Sequence, residues 1–146
     1  MTWNNSLITK FELKRDRSLN MNFANIQLTE IRGNEVSVGT GYRFKDVKIP
    51  LNIGGKKTQL KSDLDLRSDV SLRQSKTIIR KASDQSNQLT AGQYVITIKN
   101  SANYVVNERL NIRLFYDRVI NHPYVSTSFV TQNTNAGISI RFTLAN

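Results

Sequence analysis

Apolar and polar residues alternate with a period of two along most of this chain. At its end Ala136, Ile138, Ile140, Phe142 and Leu144 interleave with Gly137, Ser139, Arg141 and Thr143. The spacing predicts a closing strand over 135–145 with one apolar face and one small or polar face. The longest run covers 60–73. There Leu60, Ser62, Leu64, Leu66, Ser68, Val70 and Leu72 take one side, and Lys61, Asp63, Asp65, Arg67, Asp69, Ser71 and Arg73 the other. At 3.6 residues per turn these charges would spread around a helix, whereas period two gathers them on one face. Continued through Ile78, Ile79 and Arg80, the strand reaches about twenty residues, against the usual 3–10 of globular sheets.

The same alternation marks the other elements. Leu7, Thr9, Phe11 and Leu13 share a face, and Asp16-Arg17-Ser18 predicts a turn after them. From Leu19 the apolar parity shifts near Ala24 and Asn25, as a β-bulge would require. Arg32-Gly33-Asn34 reads as a hairpin turn before Val36, Val38, Thr40, Tyr42 and Phe44. Residues 45–57, with Pro50, Gly54, Gly55 and four lysines, read as a basic connector, and 83–88 as a polar one. Tyr94, Ile96, Ile98, Ala102, Tyr104 and Val106 then share a face, followed by a turn at Asn107-Glu108 and a strand carrying Leu110, Ile112, Leu114 and Tyr116. Asn121-His122-Pro123 predicts that strand's end, and 124–135 either a short strand or a loop. The expected fold is all-β and antiparallel, with about seven or eight long strands.

Such strands suit a half-buried soluble sheet or a barrel wall between lipid and a wet lumen. Hydrophobic residues make up 38% of the 146, which is thin for an ordinary core. No run approaches the ~18 apolar residues of a membrane helix, but barrel strands leave only a weak hydropathy signal. Long strands without intervening helices favour the transmembrane barrel, with a soluble sandwich or barrel as the alternative. So do Tyr42, Phe44, Tyr94, Tyr104, Tyr116 and Phe142, expected near strand ends as interfacial girdles. On this reading Lys61, Asp63, Asp65, Arg67, Asp69 and Arg73 form a wet, lumen-side face.

Net charge of +10, from 21 Lys and Arg against 11 Asp and Glu, invites a polyanion reading. The charges are spread over alternate positions and not gathered in one stripe, so no nucleic-acid partner is expected. His122 is the single histidine and cysteine is absent, leaving no metal-ligand set, disulfide or thiolate chemistry. Gly54-Gly55-Lys56-Lys57-Thr58 lacks the preceding glycine of a phosphate loop and leads into a strand. No nucleophile motif or carboxylate dyad stands out, so no enzyme activity and no cofactor are expected. Met1-Thr2-Trp3 opens no secretory signal, which an exported chain is expected to carry further upstream.

The tracts 88–93 (QLTAGQ), 104–117 (YVVNERLNIRLFYD) and 133–144 (NTNAGISIRFTL) resemble the C-terminal end of the SprA/Sov family. Residues 53–57 and 77–81 share the likeness, which spans roughly 35–146. Members are outer-membrane translocons of the type IX secretion system of Bacteroidota, associated with gliding motility, and each forms one giant barrel. The largest barrels known reach ~36 strands. The resemblance implies that 1–146 is the C-terminal portion of a much larger translocon wall in the cell outer membrane. It also implies as partners the remainder of that barrel, outer-membrane lipid, a PorV-type shuttle barrel, a plug protein and secreted cargo. Most of such a protein is absent from this sequence. A small independent outer-membrane barrel, the tail of another transporter, and a soluble basic β domain binding polyanions stay open as alternatives.

The ending also resembles the signal read by the barrel-assembly machinery: a polar residue, a gap, glycine, two further residues, then apolar residues at alternate positions. Asn135, Gly137, Ile140 and Phe142 occupy those places. A last strand with an exposed edge suits strand addition to an insertase.

Overall fold

Asp16, Arg17 and Ser18 lie directly opposite Gly33, Arg32 and Ile31 in the middle of two paired strands, not at turns. The computed structural model describes residues 7–53, 56–81, 86–107, 110–125 and 128–143. Across them the chain forms one antiparallel sheet of six strands: β1 (Leu7–Asn22), β2 (Gln27–Ile53), β3 (Lys56–Lys81), β4 (Ser86–Asn107), β5 (Leu110–Val125) and β6 (Thr131–Phe142). Each strand pairs only with its neighbours in sequence, so β1 and β6 are the open edges. The described residues contain no helix.

The fold is all-β as expected, but the expected seven or eight strands are six, because several predicted breaks are strand interior. Turn-forming residues are tolerated there through cross-strand partners. Gly33 leaves room for the Asp16 carboxylate, which would lie 2.5 Å from a Cβ at that position. Arg17 and Arg32 both donate to Glu30. The parity change near Ala24 is not a bulge but the hairpin turn itself, residues 23–26. The Ala24 N–H donates to Asn22 Oδ1 at 3.0 Å, and Ile26 adopts φ 48°.

The connector expected at 45–57 is strand over its described part, since β2 runs to Ile53 and β3 begins at Lys56. Its irregularity is a register shift between Phe44 and Val47, with Asp46 at φ 59°. One extra residue on β2 reverses which parity faces which side. Pro50 is accommodated because β2 has no described partner on its β1 side beyond Tyr42. His122 and Pro123 do not end their strand, for β5 continues to Val125, and a shift in the β4 pairing at Gly92/Gln93 adjoins Pro123. Residues 86–88 of the second expected connector belong to β4, and β6 starts at Thr131, ahead of the predicted 135. Gly54, Gly55, Glu108 and 144–145 lie outside the described residues.

A single sheet has no second layer to bury its apolar side. Tyr104 is the one buried apolar residue among those described. The accessible surface is 11306 Å², whereas a globular monomer of 16.6 kDa has about 7,600 Å². This sheet therefore needs an environment that accepts its exposed apolar side chains.

Candidate functional site

Residues directly opposed in an antiparallel ladder share a face, so the register defines two surfaces. One cross-sheet row on the first surface reads Leu7, Tyr42, Leu66, Ala102, Leu114 and Ile138. Two rows further along β1 come Phe11, Val38, Val70 and Ile98, a row that continues on β5 in Arg118, whose guanidinium donates to Gln132 at 2.8 Å, and then Leu13, Val36, Leu72, Ile96 and Ile120. Between them runs a row of short or polar side chains, Thr9, Thr40, Ser68 and Asn100, ending in Tyr116 and Ala136. From 7 to 13, 36 to 44, 64 to 72, 94 to 104, 110 to 116 and 136 to 142 this surface carries no Asp, Glu, Lys or Arg. Its side chains stand open: Phe11 is 64% exposed, Leu13, Ile138 and Ile140 67% each. Leu64 to Leu72 covers about 27 Å along the strand at ~3.4 Å per residue, or roughly 20 Å of height at a barrel tilt of 35–45°. An apolar band of outer-membrane barrels is ~25 Å tall.

Aromatic residues bracket this band. Phe44 and Tyr104 share one boundary with Tyr42, whose ring meets Phe44 edge-on at 4.5 Å. Tyr94 and Tyr124 stack at 4.7 Å on the other. Gln74 Nε2 donates to both of their hydroxyls, and Tyr124 in turn donates to the Ser75 carbonyl at 3.3 Å. Of the rings expected near strand ends, Phe142 closes β6 and Tyr104 lies three residues from the end of β4. Tyr42, Phe44 and Tyr94 mark the ends of the apolar band instead, since β2 to β4 extend well past it, and Tyr116 sits inside the band.

The second surface is hydrophilic, and it gathers Asp63, Asp65, Arg67, Asp69 and Arg73 from β3; the Lys61 side chain is outside the described set. Neighbouring strands supply counter-charges. Arg43 binds Asp65 through two hydrogen bonds, Nε to Oδ1 and a terminal nitrogen to Oδ2 at 3.0 Å. Arg73 reaches Glu35 at 3.6 Å and Asp16 at 3.4 Å. Asp63 accepts from the Asp46 N–H at 3.3 Å, and the Asp69 carboxylate occupies the space left by Gly39. Exposed pairs of this kind add little stability singly. Together they make a hydrated, mixed-charge wall.

The terminal motif divides between the surfaces. Asn135 and Gly137 are on the hydrophilic side, with Gly137 beneath the Phe115 ring, while Ile140 and Phe142 lie on the apolar side. β6 is hydrogen-bonded to β5 along one edge and presents the other unpaired.

One arrangement was not legible in the sequence. Beyond the band, on the apolar surface, Glu30 is fully covered by Arg17, Arg32 and Arg80, each 2.6 Å from its carboxylate. The hydrogen bond from Arg32 is the largest influence on the Glu30 carboxyl. Loss of water opposes it, Arg17 reinforces it, and the pKa is lowered to about 2. The four residues come from three strands, and only the Glu30–Arg32 spacing of two hints at the cluster in sequence.

No protein-family model matches this chain, and no curated protein sequence matches it. Among the described residues no three His, Cys, Asp or Glu side chains converge as a metal site.

Proposed function

We propose that this chain is a stretch of transmembrane wall in a large outer-membrane β-barrel, serving as the C-terminal part of a SprA/Sov-type translocon through which cargo proteins leave the cell. The observation that carries the reading is the open six-stranded sheet with a solvent-exposed apolar band on one side only, its single charge among the described residues being Arg118 held by Gln132 near the β6 edge. In lipid every backbone polar group must be paired, so a spanning sheet must close. Six strands are fewer than the eight of the smallest single-chain barrels, and β1 and β6 are not paired with each other. Closure therefore draws on strands beyond this sheet. That need supports a large barrel over a small independent one, and the thin core argues against a soluble polyanion-binding domain.

On this reading the apolar band meets lipid, and the surface bearing Asp63, Asp65, Arg67, Asp69 and Arg73 lines the cargo path. Barrels of this class have short periplasmic turns and longer outer loops. Two residues separate β2 from β3 and β4 from β5, against four, four and five at the opposite end. This supports a periplasmic location for the end near Phe142, where the barrel-assembly machinery would engage Asn135, Gly137, Ile140 and Phe142. The shuttle barrel, plug and cargo follow from the translocon reading. The test is the native polypeptide in its own membrane. It should migrate far above 16.6 kDa and stay in the membrane pellet after carbonate washing. A native chain near that mass, or one released by carbonate, overturns the reading.

A further inference from the structure

We infer that the cations just beyond the apolar band bind the phosphate groups of an anionic glycolipid headgroup in the outer leaflet; this rests on the proposed lipid-facing assignment of that surface. The row Leu13, Val36, Leu72 is followed on the same face by Arg15, Asn34, Gln74, and then by Arg17, Arg32, Lys76. Each row adds about 7 Å along the strand, or roughly 5 Å of height when tilted, which is headgroup depth.

Charge is unequal between the two faces at this level. The lipid-side face carries Arg15, Arg17, Arg32, Lys76 and Arg80 against Glu30 alone, five cations to one acid. Directly behind it, Lys14, Arg73 and Lys81 stand against Asp16 and Glu35, an excess of one. A hydrated extension with no lipid partner has no reason to place most of its excess on the face that continues the hydrocarbon band.

The geometry suits a phosphate. Arg15, Arg17, Arg32, Asn34 and Lys76, with Asp16 at one side, line a hollow of about 190 Å³. Glu30 takes the Nε atoms of Arg17 and Arg32 and a terminal nitrogen of Arg80. One carboxylate thus orients three guanidinium groups without neutralising them. Among the described residues Arg15 and Lys76 have no ion-pair partner. Guanidinium forks match phosphate oxygens two at a time, and lysine adds a point charge.

The test uses the full-length natural chain in its native assembly, reconstituted in phosphatidylcholine nanodiscs and titrated with diphosphoryl lipid A. The R15Q/K76Q double variant spares the Glu30 cluster. It should bind lipid A on the order of tenfold or more weakly than the wild type, and lipid A stripped of phosphate should bind both alike and weakly. Equal affinity of wild type and variant overturns the inference, as does equally tight binding of inorganic phosphate in the same discs. A photoreactive residue at Ile138 reports lipid contact separately. Crosslinking to phosphatidylcholine without lipid A discrimination overturns this inference and leaves the barrel reading standing, whereas loss of that crosslink overturns both.

Discussion

The Tyr124 ring lies over Gly92, close enough that a Cβ at Gly92 would sit 2.5 Å from the ring. Tyr124 is not free to swing aside, because its hydroxyl donates to the Ser75 carbonyl and its ring stacks on Tyr94. Glycine here is a requirement of packing between β4 and β5. Gly92→Ala should destabilise the folded sheet by about 1–3 kcal/mol. The denaturant midpoint of the detergent-extracted assembly measures this. Adding Tyr124→Ala should recover part of the loss, a coupling that a double-mutant cycle reads directly.

Ile138 and Ser139 are adjacent in β6 and face opposite surfaces. Lysine near the lipid midplane costs roughly 2–4 kcal/mol, while a lumen position tolerates it. On the proposed barrel reading, Ile138→Lys should therefore sharply lower the yield of membrane-inserted, protease-resistant protein, and Ser139→Lys should leave it close to wild type. Equal yields would remove the assignment of the two faces.

Glu30 links stability to acid. Its folded pKa lies near 2, below the ordinary 4.5, so its contribution is complete above pH 4.5 and is lost as pH falls towards 2. A spin label at Asn20, in β1 close by, should gain mobility across that window. Glu30→Gln removes the anion from among Arg17, Arg32 and Arg80, so the label should be mobile at every pH and the titration should vanish.

Ile26 holds a left-handed backbone, φ 48°, in the turn between β1 and β2. A β-branched residue is poorly suited to that region, at roughly 1–2 kcal/mol. Ile26 is also 55% exposed, so little packing is at stake. Ile26→Gly should slow amide exchange at Asn22 and Gln27, the last pair of the hairpin.

Period two was enough to foresee an all-β chain, its long strands and the two-sided character of 60–73. That signal is local, because each side chain's face depends only on its parity. Strand limits were not legible at Asp16, Gly33 and Pro123, where local turn chemistry suggested breaks. There the outcome depends on what lies across the ladder, such as the space at Gly33 for Asp16 or the register shift beside Pro123. The wet-face charges of β3 were readable as a set, but their partners Arg43, Glu35 and Asp16 come from β1 and β2. Glu30 was invisible for the same reason, since its three arginines meet it only once the register is known. Aromatic placement was legible for Phe142 and Tyr104 but not for Tyr42, Phe44 and Tyr94, because β2 to β4 outrun the band that these rings delimit.

The strictly sequential strand order has a bearing on how such a wall can change size. Among the described residues every strand-to-strand contact joins consecutive elements, and no crossover ties distant parts together. A hairpin duplicated or deleted within the run would leave all other pairings as they are, once the flanking strands re-zip. Sheet width then becomes a heritable quantity adjustable two strands at a time, and on the proposed translocon reading the bore would follow cargo size without redesigning any existing seam.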